Sequence, residues 1–174
     1  MGTMQLADSH CHLDFSAFDP DRDDVLQRAR QAGVELIVLA GCAGSRAQRE
    51  QAHRLCLAHP GWLWFVSGVH PHESAGLTEA DYAHVEALAR AGQLVGIGEC
   101  GLDFFHDLSD RDLQREAFRR FLRLARQVNL PVVIHTRDAE DDTLRILAEE
   151  GLPERGGVVH CFSGTRTLAE AALE

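Results

Sequence analysis

A chain of 174 residues with 45% apolar side chains can bury a core of ordinary domain size, and no stretch has the composition of a disordered segment. No run approaches the ~18 apolar residues that a membrane span needs, and the opening MGTMQLAD lacks the basic and apolar regions of a secretory signal. A net charge of −10 argues against a basic nucleic-acid-binding face, so an anionic partner would need locally bound cations.

Five cysteines, an odd number with no C-x-x-C pair, predict free thiols in a reducing cytoplasm. The tripeptide Met1–Thr3 ahead of Met4 is expected to be extraneous to one domain over 4–174.

In chain order, a first strand is predicted at Leu6–His10, within LADSHCHLDF. Residues two apart on a strand share a face, so His10 and His12 aim at one spot and Cys11 points away. A helix follows, capped by Asp19 with Pro20 at its first position and closed at Gly33. Strand two is Glu35–Gly41, the next helix Ser45–Ala58, and strand three Trp64–His70. Thr78 and Asp81 form a capping box for a helix ending near Gly92. Strand four is Leu94–Glu99. The helix over Asp110–Asn129 carries Leu113, Ala117, Phe118, Phe121, Ala125 and Val128 on one stripe, suited to packing on a sheet. Arg111, Arg115, Arg119, Arg123 and Arg126 on the same helix read as a solvated face. Strand five is Pro131–His135, then a helix Asp138–Glu150, strand six Gly157–His160 and a helix from Arg166.

Uniformly apolar strands alternating with amphipathic helices predict βα units and a parallel sheet covered on both faces. An open doubly wound sheet and a (β/α) barrel both satisfy this pattern.

The polar residues cluster at the C-terminal strand ends: His10 and His12, His70, Glu99, His135 and His160. Each alone is an ordinary surface residue, but independent accidents would have to choose the same end of successive strands. In a barrel those ends form the rim on which active sites sit. Imidazoles with a carboxylate suit Zn²⁺ and other first-row ions. The set exceeds the three protein ligands typical of one catalytic ion, which favours two ions with Glu99 bridging. Such a pair activates a shared water and clamps both oxygens of a displacement, so hydrolysis is the chemistry expected.

The segments DSHCHLDF, GVHPHE, GIGECGLDF, LPVVIHTRDA and GVVHCFSG, with Gln114, Phe118 and Ala125 on the helix before strand five, resemble the TatD family of metal-dependent deoxyribonucleases. The resemblance implies a TIM-type barrel, here with about six of its eight βα units. It also implies two divalent ions (Zn, Mn or Mg), one held by His10 and His12, the other by His135 and His160, with Glu99 between them as the catalytic residue. It implies a substrate of DNA, as single strands or ends, with His70 and Arg137 near the scissile phosphate. Arg137 offers a planar fork for phosphate oxygens.

Cys11 and Cys161 adjoin ligands but should pack away from the metals; Cys100 also adjoins one, and Ser163 has no obvious nucleophilic role. The family's further aspartate, after a later strand, has no match in the 174 residues. Strands one and six are then expected as open edges that favour self-association. The alternatives are a small-molecule phosphoesterase or amidohydrolase with the same metals, and a non-catalytic metal-binding fragment.

Overall fold

The computed structural model describes residues 5–42 and 46–173. Six strands run β1 (Leu6–Cys11), β2 (Val34–Gly41), β3 (Leu63–Ser67), β4 (Gly96–Asp103), β5 (Val132–Arg137) and β6 (Gly157–Val159). The helices are α1 (Arg22–Gln31), α2 (Arg46–Ala58), α3 (Glu79–Arg90), α4 (Arg111–Val128), α5 (Glu140–Glu150) and α6 (Arg166–Ala172). Short 3₁₀ turns at Ser16–Phe18 and Pro71–Gly76 complete the described elements.

The strands lie in sequence order, β1-β2-β3-β4-β5-β6, and every neighbouring pair is parallel. A doubly wound sheet reverses its strand order at a switch point. This sheet has no reversal, so the chain is an incomplete TIM-type barrel, curled and open. Burial follows that geometry. Every residue of β4 is buried, whereas β1 at one edge is exposed over its first four residues. At the other edge Val158 of β6 is 53% exposed.

The core is filled from α4, whose Ala117, Phe118, Phe121, Leu122, Leu124 and Ala125 are all buried, together with Ile97, Leu102, Val132 and Ile134 of the sheet. Two details of the expected stripe change. Leu113 is 47% exposed, and the buried residue of that turn is Gln114. Gln114 accepts from the Asp103 N–H at 2.8 Å and donates to the carbonyls of Asp103 (3.2 Å) and Ser109 (2.9 Å), which seats the end of β4 on α4. Four arginines of α4 are tied by ion pairs to neighbouring helices, while Arg111 pairs with Asp107 in the preceding loop. Arg115 meets Asp142, Arg119 and Arg123 meet Glu150, and Arg120 meets Glu79.

Helix boundaries mostly follow local chemistry. Thr78 and Asp81 make both bonds of the capping box. The Asp110 side chain accepts from the N–H groups of Asp112 and Leu113, and Asn129 ends α4 in the left-handed region at φ 51°. The start of α1 differs from expectation. Asp19 does not cap it; the helix begins at Arg22 with Asp21 at the N-cap. The Arg22 guanidinium takes the Asp19 carboxylate at 2.6 Å and the carbonyls of Leu13 and Phe15, so Asp19 is committed to an ion pair and Pro20 lies in the preceding turn. The helix expected from Asp138 begins at Glu140, with Ala139 at the N-cap position, and Asp138 adopts φ 53°. The expected helix start at Ser45, and the positions Met1–Met4 and Glu174, lie outside the described residues.

The strand that matters most is longer than expected. β4 continues past Glu99 to Asp103. Its pairing with β5 slips between Gly98 and Cys100, which leaves Glu99 as an extra residue in the ladder. Glycines permit this: a Cβ on Gly98 (φ +135°) would lie 2.4 Å from the Val133 carbonyl oxygen, and one on Gly101 (φ +144°) 2.0 Å from that of His135. No larger residue fits at either position without moving the backbone.

Candidate metal centre

Glu99, 2% exposed, is a carboxylate ringed by imidazoles from other strand ends. Its Oε1 lies 2.5 Å from His160 Nε2, 2.9 Å from His135 Nδ1 and 3.6 Å from His70 Nε2. Its Oε2 faces His10 Nε2 at 3.4 Å and the Cys42 thiol at 3.6 Å. One oxygen thus looks toward β1, and the other toward the ends of β3, β5 and β6. His12 completes the first group: ligand atoms of His10, His12 and Glu99 all lie within 4.8 Å of one another. The same holds for His70, Glu99 and His135, which places His70 closer to the ligand set than sequence alone suggested. His160 reaches the same oxygen and stacks on His10, with ring centroids 4.1 Å apart at 12°. His12, His70, Glu99, His135 and His160, with Phe15, His72 and Glu73, line a cavity of about 330 Å³.

The local sequence explains each placement. His10 is in β1 and His12 just beyond it, as period two requires. Strand β3 ends at Ser67, so His70 sits further out, at the N-cap of the Pro71–Gly76 turn, where its Nδ1 accepts from the His72 N–H at 3.3 Å. His135 is inside β5, and His160 directly follows β6. Arg137 ends β5 and does not line the cavity; its guanidinium lies over the Phe105 ring, 4.7 Å from the centroid. Cys11 packs against the core and Cys100 is buried. Cys161, expected to pack, is exposed, because the chain turns there with φ 46°.

A second carboxylate was not singled out from sequence. Asp103, 0% exposed, lies four residues beyond Glu99. Its Oδ2 is 2.8 Å from His72 Nε2, 2.9 Å from His106 Nδ1 and 3.1 Å from His135 Nε2. His135 therefore sits between two carboxylates, with one ring nitrogen on each. Ending the strand at Glu99 hid this residue, because the register slip there breaks the plain period-two count.

The charge states fit a cation site. Burial alone would push Glu99 up, but His10, His135 and His160 outweigh it and hold the carboxyl well below the usual range. Asp103 is likewise held low: burial opposes ionisation, and contacts from His106, His72 and His135 overcome it. Burial drives His70 down to about 4, and lowers His12 as well, with His10 adding to the effect. Both imidazoles are thus neutral near pH 7 and keep a lone pair for a ligand. The buried atoms His10 Nε2 and His12 Nδ1 have no hydrogen-bond partner; for His10 the Glu99 oxygen is near but outside bonding geometry. Orphaned buried nitrogens beside an ionised carboxylate are what N/O metal ligands look like before coordination.

Residues 7–174 match the TatD related DNase family. A relative from Pantoea sp. (strain At-9b), called 3'-5' ssDNA/RNA exonuclease TatD, is 42% identical over 163 residues, covering 93% of this chain and 62% of that protein. An uncharacterized metal-dependent hydrolase, YabD of Bacillus subtilis (strain 168), is 37% identical over 169 residues, 97% of this chain and 65% of its own length. The crystal structure of YJJV, a TatD homolog from Escherichia coli k12, superposes with a TM-score of 0.85 at 31% identity, over 97% of this chain and 64% of that one. The chain thus spans a little under two thirds of the relatives it matches.

Proposed function

The chain belongs to the TatD related DNase family, and from that premise we propose that its site serves divalent-metal-dependent hydrolysis of phosphodiester bonds in single-stranded DNA or DNA ends. The observation that carries this reading is Glu99, a buried carboxylate whose two oxygens face separate histidine groups. His10 and His12 would hold one ion, His135 and His160 the other, with Glu99 shared and His70 at the cavity wall. Ions bound there would lower the pKa of a water toward neutrality and offset phosphate charge.

The chain's own residues do the rest. Glu99 supplies the negative charge that lets two cations stand close, since their mutual repulsion is otherwise uncompensated at short range. His135 is held in orientation by Asp103, so its Nδ1 faces Glu99. Arg137 would leave the Phe105 ring to take phosphate oxygens bidentately. A cavity of about 330 Å³ admits a strand end more readily than a duplex. Bound cations also reconcile the acidic chain with a polyanionic substrate.

The test is cleavage of an end-labelled single-stranded DNA by this chain joined to the C-terminal third of its Pantoea relative. We expect metal-dependent shortening of the strand that stops with chelator and returns with manganese or magnesium. A preparation with full metal occupancy that leaves DNA intact while turning over a small phosphodiester or an amide would overturn the nuclease reading.

A further inference from the structure

We propose that His72, Asp103 and His106 form a further binding site for a divalent first-row metal ion, distinct from the Glu99 centre. Their ligand atoms lie within 4.8 Å of one another. Asp103 Oδ1 accepts from the N–H groups of Phe105 at 3.1 Å and His106 at 2.8 Å. Three ring nitrogens then converge on Oδ2, those of His72, His106 and His135, at 2.8, 2.9 and 3.1 Å.

A carboxylate offers about four lone-pair directions, two per oxygen. The backbone occupies those of Oδ1, so three N–H donors would compete for the two of Oδ2. A cation removes the surplus. His72 Nε2 and His106 Nδ1 turn lone pairs to the ion, Oδ2 gives it one lone pair, and the other accepts the His135 Nε2–H. His135 Nδ1 is then left with its lone pair toward Glu99.

The separations suit this. Two ligand atoms, each ~2.1 Å from an ion and at right angles, lie ~3.0 Å apart. Two imidazoles and a carboxylate are a donor set for zinc and its first-row neighbours. Gln114 clamps both the N–H and the carbonyl of Asp103, so the carboxylate is rigid before any ion arrives. His106, with its side chain 49% exposed, leaves one side open to solvent, and His72 reaches the cavity wall. An ion here would add positive charge beside the cavity that His72 lines.

The inference needs no substrate, so it stands or falls separately from the nuclease reading. The 174-residue chain, stripped with chelator, is titrated with cobalt(II) and with zinc(II), with bound metal counted by elemental analysis after gel filtration. The unchanged chain should bind one equivalent that H106A and H106Q both lack, while Glu99→Gln keeps that equivalent and loses others. The Gln variant retains an N–H donor for Asp103, which separates lost coordination from a lost hydrogen bond, and circular dichroism checks its fold. Unchanged stoichiometry and affinity in H106Q would overturn the site. So would loss of every equivalent in H106Q, which would mean that His106 serves the Glu99 centre, or an unchanged chain with no equivalent surviving in Glu99→Gln.

Discussion

Glu99 bears the strictest requirement in the molecule, because one side chain must satisfy histidines on both sides. Glu99→Gln keeps the shape and removes the charge that would counter two cations in the proposed centre. In the extended chain it should lower both metal occupancy and strand cleavage more than alanine at His10, His12, His135 or His160 taken singly; near-normal occupancy would refute the shared role. Asp14 poses the opposite problem. It is 2% exposed, neither oxygen has a hydrogen-bond partner, and burial pushes its carboxyl up to about 6. A raised carboxyl binds its proton more tightly in the folded state, so this residue's contribution to stability falls as pH rises from about 4 to about 6, then stays level. The shift corresponds to roughly 3 kcal/mol above that window. Urea unfolding of metal-free protein and Asp14→Asn across pH 4–7 should show that difference growing in favour of the variant; parallel profiles would contradict it.

Among the elements, β4 and α4 decide the geometry of the site. β4 carries both carboxylates, and α4 holds its end through Gln114, fully buried and bonded three times. Leucine at 114 fills similar volume but leaves the Asp103 N–H and carbonyl without these partners. Each buried group left unsatisfied costs ~1–3 kcal/mol, so Gln114→Leu should destabilise by roughly 2–4 kcal/mol in denaturant unfolding. It should also weaken metal binding, which an Asp103 set free from α4 no longer supports. A loss under ~0.5 kcal/mol, the scale of an ordinary surface substitution, would show that α4 does not anchor the strand. The pattern on α4 was legible because its apolar spacing is strong. Gln114 was legible only by its place in the motif, since a polar residue on an apolar stripe has no periodic reason to be buried.

For the whole molecule, the open sheet is the dominant fact. β1 and β6 are edges, and beside β6 an apolar hollow of about 790 Å³ is lined by residues including Leu144, Leu147, Leu152, Val158 and Phe162. Unpaired edges and exposed apolar surface favour association. In size-exclusion chromatography the 174-residue chain should run larger than its 19.2 kDa, and the chain extended by its relative's C-terminal third should run as a monomer. A monodisperse, monomeric short chain would show that its edges are protected.

Sequence by itself determined the alternation of strand and helix, the capping of α3, and the histidines and Glu99 at the strand ends, because those rest on period, local hydrogen bonding and residue chemistry. It also carried the family, because five motifs in fixed order are hard to reach by accident. The alternation of strand and helix alone did not choose between an open doubly wound sheet and a barrel; the motifs, through the family they resemble, implied the barrel. Strand order is a long-range property, and here the unbroken β1-to-β6 succession decided it. Nor could local signals show that β4 runs four residues past Glu99. That extension depends on Gly98 and Gly101 allowing β5 to approach, and on Gln114 reaching back from α4. His106 meets Asp103 within a local turn, but only the tertiary structure could set Asp103 beside His72 and His135, since partners 31 and 32 residues away along the chain meet only once the strands have assembled.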